Sequence, residues 1–393
     1  MRKVVPSKPV APLSILRSWW SLLRCVVSPG RSASLLSSQE IDKHLLEAVR
    51  WLLTAREHNL DAGISAHFDL LRDRWAPSYS ETTGYAVPTL LACAHTIGQA
   101  QLRDIALELA DWLLRVRTSE GGVGHWGTKD SANARPVVFD TGQVIFGWLA
   151  AWQESGNRTY LEAAETAGRW LLEVQDVSGA WIRYQHQDTV KVIDTRVALA
   201  LVRLAGATGQ EAYTETARRN LNWAMGQQQP NGWFQHSSFL PNEDPFTHTI
   251  AYTAEGLLES GILLGEEQYI EAAQEVADVM LRLQRVDGSL ASTYNEKWSA
   301  TSRSSCLTGN CQMALIWTRL YELSGDHAYL DGARRAIAFV AGTQNLRTRN
   351  PSVRGAIAGS WPIYGHYQRF TYPNWAAKFF IDALLALESA LEG

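Results

Sequence analysis

Residues 139–175 read FDTGQVIFGWLAAWQESGNRTYLEAAETAGRWLLEVQ. The stretch from Val144 to Ala151 is apolar on nearly every side, as a helix enclosed by neighbours has to be. From Tyr160 to Gln175 the pattern changes. Leu161, Ala164, Ala167, Leu171 and Val174 recur at three- and four-residue spacing, with Glu162, Glu165, Arg169 and Glu173 on the other face. That is an amphipathic helix laid over a core. Gly156 lies between the two, suited to a left-handed helix cap. The pair is therefore a hairpin of one inner and one outer helix.

The hairpin recurs. Taking Thr83, Thr141, Thr195, Thr249, Thr308 and Asn374 as markers of six inner-helix starts, the steps are 58, 54, 54, 59 and 66. A period of this size signals a helical repeat. The inner-to-outer turns are short. Gly156 to Tyr160, Gly209 to Tyr213, Gly265 to Tyr269 and Gly325 to Tyr329 share one offset, and each tyrosine is expected to pack back across its own turn. The return connections are long and hold much of the loop Trp, His, Pro and Gly; loops of that length in a compact domain are usually functional. The alternation predicts an all-α (α/α)6 toroid, twelve helices with little or no sheet. All long loops then share one face, and all six inner-helix N-termini point at it. The expected layout is a basic N-terminal extension over 1–38 and one toroid domain over 39–393.

Composition agrees with a globular chain of this size: 393 residues, 46% hydrophobic, 19% charged, with 16 tryptophans. Four cysteines, Cys25, Cys93, Cys306 and Cys311, are too few and too irregular for a disulfide framework. Residues 1–31 carry six basic side chains and no acid, leaving 30 basic against 40 acidic in the remainder. An acidic body argues against nucleic acid as partner. No apolar run approaches the length of a membrane span. The pattern Ile15, Leu16, Trp19, Trp20, Leu23 and Val27, with Arg17 and Arg24, could lie flat on a bilayer. The expected location is cytoplasmic, with peripheral contact at the inner membrane through residues 14–27; a disordered extension is the alternative.

The marker stretches resemble the exopolysaccharide-biosynthesis toroid proteins, within the wider six-hairpin glycosidase-like and terpenoid-cyclase-like group. The matching segments are Ser80-Glu-Thr-Thr-Gly-Tyr85, Phe139-Asp-Thr-Gly-Gln143, Thr247-His-Thr-Ile-Ala-Tyr252, Cys306-Leu-Thr-Gly-Asn310 with Gln312, Pro362-Ile-Tyr-Gly365 and the run from Tyr372 to Phe380. The likeness spans about residues 41–390. It implies a carbohydrate-active protein of glycan biosynthesis, with an exopolysaccharide or its lipid-linked precursor, an oligosaccharide or polysaccharide, as substrate; the converging inner-helix N-termini, together with Lys378 and Arg303, favour an anionic or phosphate-linked glycan.

Glu81, Asp140 and Asp194 open three successive inner helices. Two carboxyl groups across a cleft suit acid and base work on a glycosidic bond. The competing reading is helix capping, which explains Asp140 and Asp194 without catalysis. His248 and Tyr252, four apart, share a helix face and could move a proton beside a uronate carboxylate. The expected catalytic set is Glu81, Asp140, His248 and Tyr252. His125, His236 and His366 fall in long loops that could line the same cleft. Trp51, Trp112, Trp170 and Trp223 recur in outer helices, with Met280 and Phe339 as equivalents, and read as core. Trp75, Trp126, Trp181, Trp233, Trp298 and Trp361 sit one per long loop; they suit sugar faces or a plug that seals the loops. The expected substrate-binding set is Trp75, Trp126, Trp233, Trp361, Tyr364, His366, Asn310, Arg303 and Lys378. Lys378, four residues after Asn374, should face the barrel axis and pair with Glu81. No cofactor is expected. Lantibiotic cyclases, toroid relatives, bind zinc with two Cys and a His, but the spacing of Cys306 and Cys311 does not put both on one helix face. The Asp-rich run of terpenoid cyclases is missing. The expected reactions are hydrolysis, lyase cleavage or epimerisation; the alternatives are a non-catalytic glycan-binding scaffold and a toroid acting on an isoprenoid carrier.

Overall fold

Two outer helices begin at polar side-chain caps, and three inner helices begin without one. Asn157 accepts from the Thr159 amide and Asp326 from the Ala328 amide, whereas the inner helices after Tyr79, Val137 and Phe246 start with no side-chain cap. In the computed structural model, which describes residues 35–126 and 135–392, twelve α-helices alternate between the two kinds. The outer set is α1 (Ser38–Glu57), α3 (Ala100–Val116), α5 (Arg158–Val174), α7 (Glu211–Met225), α9 (Glu267–Leu283) and α11 (His327–Thr343). The inner set is α2 (Ser80–Ile97), α4 (Val138–Ser155), α6 (Thr195–Thr208), α8 (Thr247–Leu264), α10 (Leu307–Ser324) and α12 (Asn374–Glu392). Each inner helix packs on the next, and α12 packs on both α2 and α1, so the ring closes through the two ends of the chain. This is the (α/α)6 toroid expected from the repeat. The expectations for residues 14–27 fall outside the described residues. Among those described, no helix is long and apolar enough to cross a membrane.

The short turns are uniform. Gly98, Gly156, Gly209, Gly265 and Gly325 end five inner helices with φ between 69° and 72°, where only glycine avoids a Cβ clash. The tyrosines that follow do not fold back over their own turns. Tyr160, Tyr269 and Tyr329 donate sideways to Asp111, Asn222 and Asp278, each on the preceding outer helix, and Tyr213 donates to the Glu165 carbonyl. A hydroxyl reaching past a one-turn connection finds the neighbouring hairpin before its own.

The long loops add short strands: β1 (His67–Asp69), β2 (Arg74–Trp75), β3 (Ser305–Cys306), β4 (Ser360–Trp361) and β5 (Thr371–Pro373). The order β2-β1-β5 puts Phe68 opposite Tyr372 and ties the first loop to the last. Three marker residues, Thr83, Thr141 and Asn374, together with Asn310, are clips between inner helices and these loops. Thr83 and Thr141 accept from the Ile64 and Val123 amides, Asn310 accepts from the Leu290 amide, and Asn374 donates to the Ser65 carbonyl. Trp51, Trp112, Trp170, Met280 and Phe339 are buried as expected, while Trp223 is half-buried.

Candidate active site

The first turns of α2 and α4 bring two acids to the long-loop face. Glu81 and Asp140 are both buried, and neither caps its helix. Tyr79, the residue before α2, donates its hydroxyl to Glu81 Oε2 at 2.5 Å. His125 Nδ1 lies 3.1 Å from that hydroxyl and 3.0 Å from Asp140 Oδ2. The sequence Glu81–Tyr79–His125–Asp140 is therefore one hydrogen-bonded chain across two helix starts. Three hydrogen bonds separate the carboxyl groups, so they are no farther apart than the roughly 6.5–9.5 Å of an inverting glycosidase pair.

The environment treats the groups differently. Burial, with the Asp140 charge beside it, pushes the Glu81 carboxyl up to about 8, although the Tyr79 hydroxyl opposes the rise. Glu81 therefore holds its proton at neutral pH. Burial alone would lower His125, but its bond to Asp140 and the Asp140 and Glu81 charges outweigh that and raise it. His186 stacks on His125 at 4.8 Å with rings 11° from parallel, and burial together with the His125 charge lowers it. Trp126, 40% exposed, lies 5.3 Å from Tyr79 and 5.1 Å from His125 and forms the open side of the site.

His248 and Tyr252 stand across the ring at the start of α8, at the same end as Glu81. Their rings are 4.3 Å apart. His248 Nδ1 meets Gln312 Oε1 at 2.7 Å, and burial drives its pKa down to about 3, so the ring is neutral. Tyr252 lies near enough to Glu81 for that charge to help raise its pKa, after burial. The Arg196 guanidinium sits 4.9 Å over the Tyr252 ring and bonds Gln143 on α4.

Other expected site residues lie elsewhere. Lys378 is buried, but its Nζ pairs with Asp382 at 2.6 Å and lies over Phe379 and Tyr85; it does not reach Glu81. An acid one turn along the same helix is reached at less cost than one across the ring. Arg303 is exposed in the loop before β3. Asn310 is the buried loop clip already described. Asp194 belongs to a separate buried cluster: Gln185 donates to it at 2.6 Å, and burial raises it to about 7. Trp75 packs against Trp51, His58 and Phe68. Trp233 meets Trp298 edge-on at 4.9 Å, and Trp181 is sealed in the core. Of these loop tryptophans, four, Trp75, Trp181, Trp233 and Trp298, are packing plugs, and Trp126 fronts the acids. Trp361 is half-buried in β4, Tyr364 is 51% exposed, and His366 is exposed beside Phe246. His236 lies by Trp223, away from the acids. Tyr79 and His186 were not singled out in the sequence; Tyr79 stands two residues before Glu81, a signal a closer reading of that motif offers. Among the described residues no three His, Cys, Asp or Glu side chains are grouped to hold a metal. Cys306 and Cys311 are buried free thiols.

No protein-family model and no curated protein sequence matches the chain. Solved structures do. An unsaturated glucuronyl hydrolase specific for heparin superposes with a TM-score of 0.72 at 14% identity, over 91% of this chain and 99% of that one. The unsaturated glucuronyl hydrolase of Bacillus sp. GL1 gives 0.72 at 15% identity, over 88% and 97%. The cellobiose 2-epimerase of Bacillus thermoamylovorans gives 0.71 at 12% identity, over 89% and 98%. These likenesses establish the architecture: the chain has the six-hairpin toroid fold of those proteins.

Proposed function

We propose that the protein is a glycan-acting hydrolase in which Glu81 is the general acid and Asp140, with His125, the general base. The observation that carries this reading is the split between two neighbouring buried carboxyl groups. Glu81 keeps a proton up to about pH 8, while Asp140 is held against a histidine of raised pKa. Paired carboxyl groups in unlike environments are how acid and base roles separate. In the proposed step Glu81 gives its proton to the glycosidic oxygen as the C–O bond breaks. A water adds its hydroxyl to the anomeric carbon and passes its proton to the Asp140–His125 pair. Trp126 offers an exposed indole face for a sugar ring. His248, neutral and weakly basic, and Tyr252, whose hydroxyl holds its proton, form the far wall; that disfavours the lyase and epimerase routes through them.

Structural likeness to glucuronyl hydrolases and a sugar epimerase supports a sugar substrate. The marker motifs support an exopolysaccharide or its lipid-linked precursor as the glycan. Inner-helix N-termini at this face, those of α2, α4 and α8 without side-chain caps, favour an anionic sugar. The test is hydrolysis of a panel of uronate-containing and neutral oligosaccharides by the wild type and by Glu81→Gln and Asp140→Asn. Each variant should lose at least about 100-fold in turnover with its fold kept. A folded Glu81→Gln protein with wild-type turnover overturns the acid role. Binding without turnover by the wild type across the panel points to the scaffold instead.

A further inference from the structure

A second cavity enters the toroid from the opposite end. It has a volume of about 390 Å³ and is lined from Arg196 and Lys378, in the N-terminal halves of their helices, to Glu322 and Ala386 toward the C-terminal ends, where the short glycine turns are. All six inner helices line it. Tyr85 on α2 and Phe146 on α4 belong to its lining, and the Phe379 ring packs against Tyr85. The size is that of a small-molecule site.

The walls are charged where a purely structural axis would be closed by apolar side chains. Arg196, Arg203, Arg319 and Lys378 face Glu255, Glu259, Glu322 and Asp382. Holding such groups inside a fold costs several kcal/mol each unless they are matched. Three of the cations take all four acids. Arg196 pairs with Glu255, Arg319 bonds Glu259 at 3.1 Å and Glu322 at 2.9 Å, and Lys378 pairs with Asp382. Arg203 is left over. Its guanidinium lies 5.2 Å over the Phe146 ring and makes no hydrogen bond or ion pair among the described residues. It is exposed to solvent at the cavity wall, within the field of the Glu259 and Glu255 charges. Nearer the inner-helix starts, the buried Tyr85 hydroxyl has the Tyr252 hydroxyl as its neighbour and no closer polar partner. A guanidinium with no ion pair of its own on the wall, and a tyrosine hydroxyl with acceptor capacity to spare beside it, are complementary to a carboxylate and to a hydroxyl of one small molecule.

We infer that this axial funnel is a second binding site, separate from Glu81 and Asp140, for a small hydroxylated carboxylate on the scale of one sugar ring. Its carboxylate sits on Arg203 and its hydroxyls on Tyr85, Thr89 and Thr318. The competing account is that Arg203 only offsets the negative ends of the inner helices.

Titration calorimetry of the whole protein with sodium glucuronate, and with glucose as the uncharged control, separates the two. A glucuronate-binding event should be present in the wild type and should persist in Trp126→Ala, which alters only the long-loop face. It should weaken at least about tenfold in Arg203→Gln and vanish in Ala386→Phe, which fills the funnel. Glucose should bind far more weakly than glucuronate. Both funnel variants should keep the wild-type melting temperature, since Arg203 is in contact with solvent and Ala386 is half-exposed. Absence of binding in the wild type, or a glucuronate event that Arg203→Gln and Ala386→Phe leave intact, overturns the site. Loss of stability in Arg203→Gln together with no wild-type binding establishes the helix-end role in its place.

Discussion

Single side chains decide the chemistry proposed for the long-loop face. Glu81 is protonated below about pH 8 because burial and the Asp140 charge disfavour its anion. A reaction that needs that proton should lose rate as pH rises through about 8, with a flat profile just below. Tyr79 bonds the carboxyl and lowers its pKa, so Tyr79→Phe should move the alkaline limb to higher pH; a pH–rate profile of both proteins checks it. An unmoved limb in the variant would separate the limb from Glu81. Glu81 and Asp140 were legible as acids at helix starts, because repeat register is a property of sequence. Their division of labour was not, because it depends on a tyrosine and a histidine brought in by two different loops. Lys378 shows the opposite case. Its position facing the axis was legible, but the partner is Asp382, one turn on, since an i,i+4 acid needs no tertiary placement. Lys378→Met should destabilise the fold by about 3–5 kcal/mol through the orphaned acid, and much of that should return in Lys378→Met/Asp382→Leu, read by denaturant unfolding.

At the scale of elements, the inner helices pack closely where glycine allows. A Cβ at Gly147 on α4 would lie 2.5 Å from the Gly84 carbonyl oxygen on α2, so the two backbones touch there. Gly147→Ala should cost about 1–3 kcal/mol as the helices are forced apart, measured as a shift in urea midpoint with unchanged slope. Two of the marker threonines, Thr83 and Thr141, read from the sequence as helix-start signals, are also loop clips. Thr141 accepts from the Val123 amide and donates to the Val137 carbonyl. Thr141→Val leaves that buried amide unpaired and should cost about 1–3 kcal/mol. Because Val123 is two residues before His125, the same change should also reduce turnover, while a clip on the far side of the ring, such as Asn310, should affect stability more than rate. A further repeated device escaped the pattern reading. Gln175, Gln284 and Gln344 each follow an outer helix and bridge a loop glycine to the next outer helix, through Gly179 and Thr216, Gly288 and Gly332, and Gly355 and His44. Polar residues just past helix ends carry no hydrophobic period, so nothing in the pattern marks them.

At the scale of the molecule, closure joins residues some 300 positions apart. His44 meets Gln344 at 2.5 Å, Glu47 pairs with Arg354 at 2.7 Å, and the Trp51 indole donates to the Ser352 carbonyl at 2.9 Å. The seam is therefore polar and apolar at once, and α1 is both the first outer helix and the partner of α12. Trp51→Ala should cost about 3–5 kcal/mol and open the seam first, detected as faster amide exchange in α1 and α12 than in α6 and α8. Uniform loss of protection around the ring would show that closure is not a separable unit. A toroid also has two ends. The long-loop end holds the acid pair, and the short-turn end holds the charged funnel; the aromatic layer of Tyr85, Tyr252 and Phe379 lies between them.

Local periodicity, glycine turns and repeat length determined the helices, their inner and outer roles, the ring and the face that carries the long loops, because each follows from backbone geometry within one hairpin. The tertiary structure alone decided which side chains meet: Tyr79 and His125 between the two acids, Trp126 in front of them while Trp75, Trp181 and Trp233 seal loops, and Arg203 left unpaired in the axial funnel. Those outcomes depend on distances across the ring, and side chains 50 to 300 residues apart have no register in the sequence that encodes them.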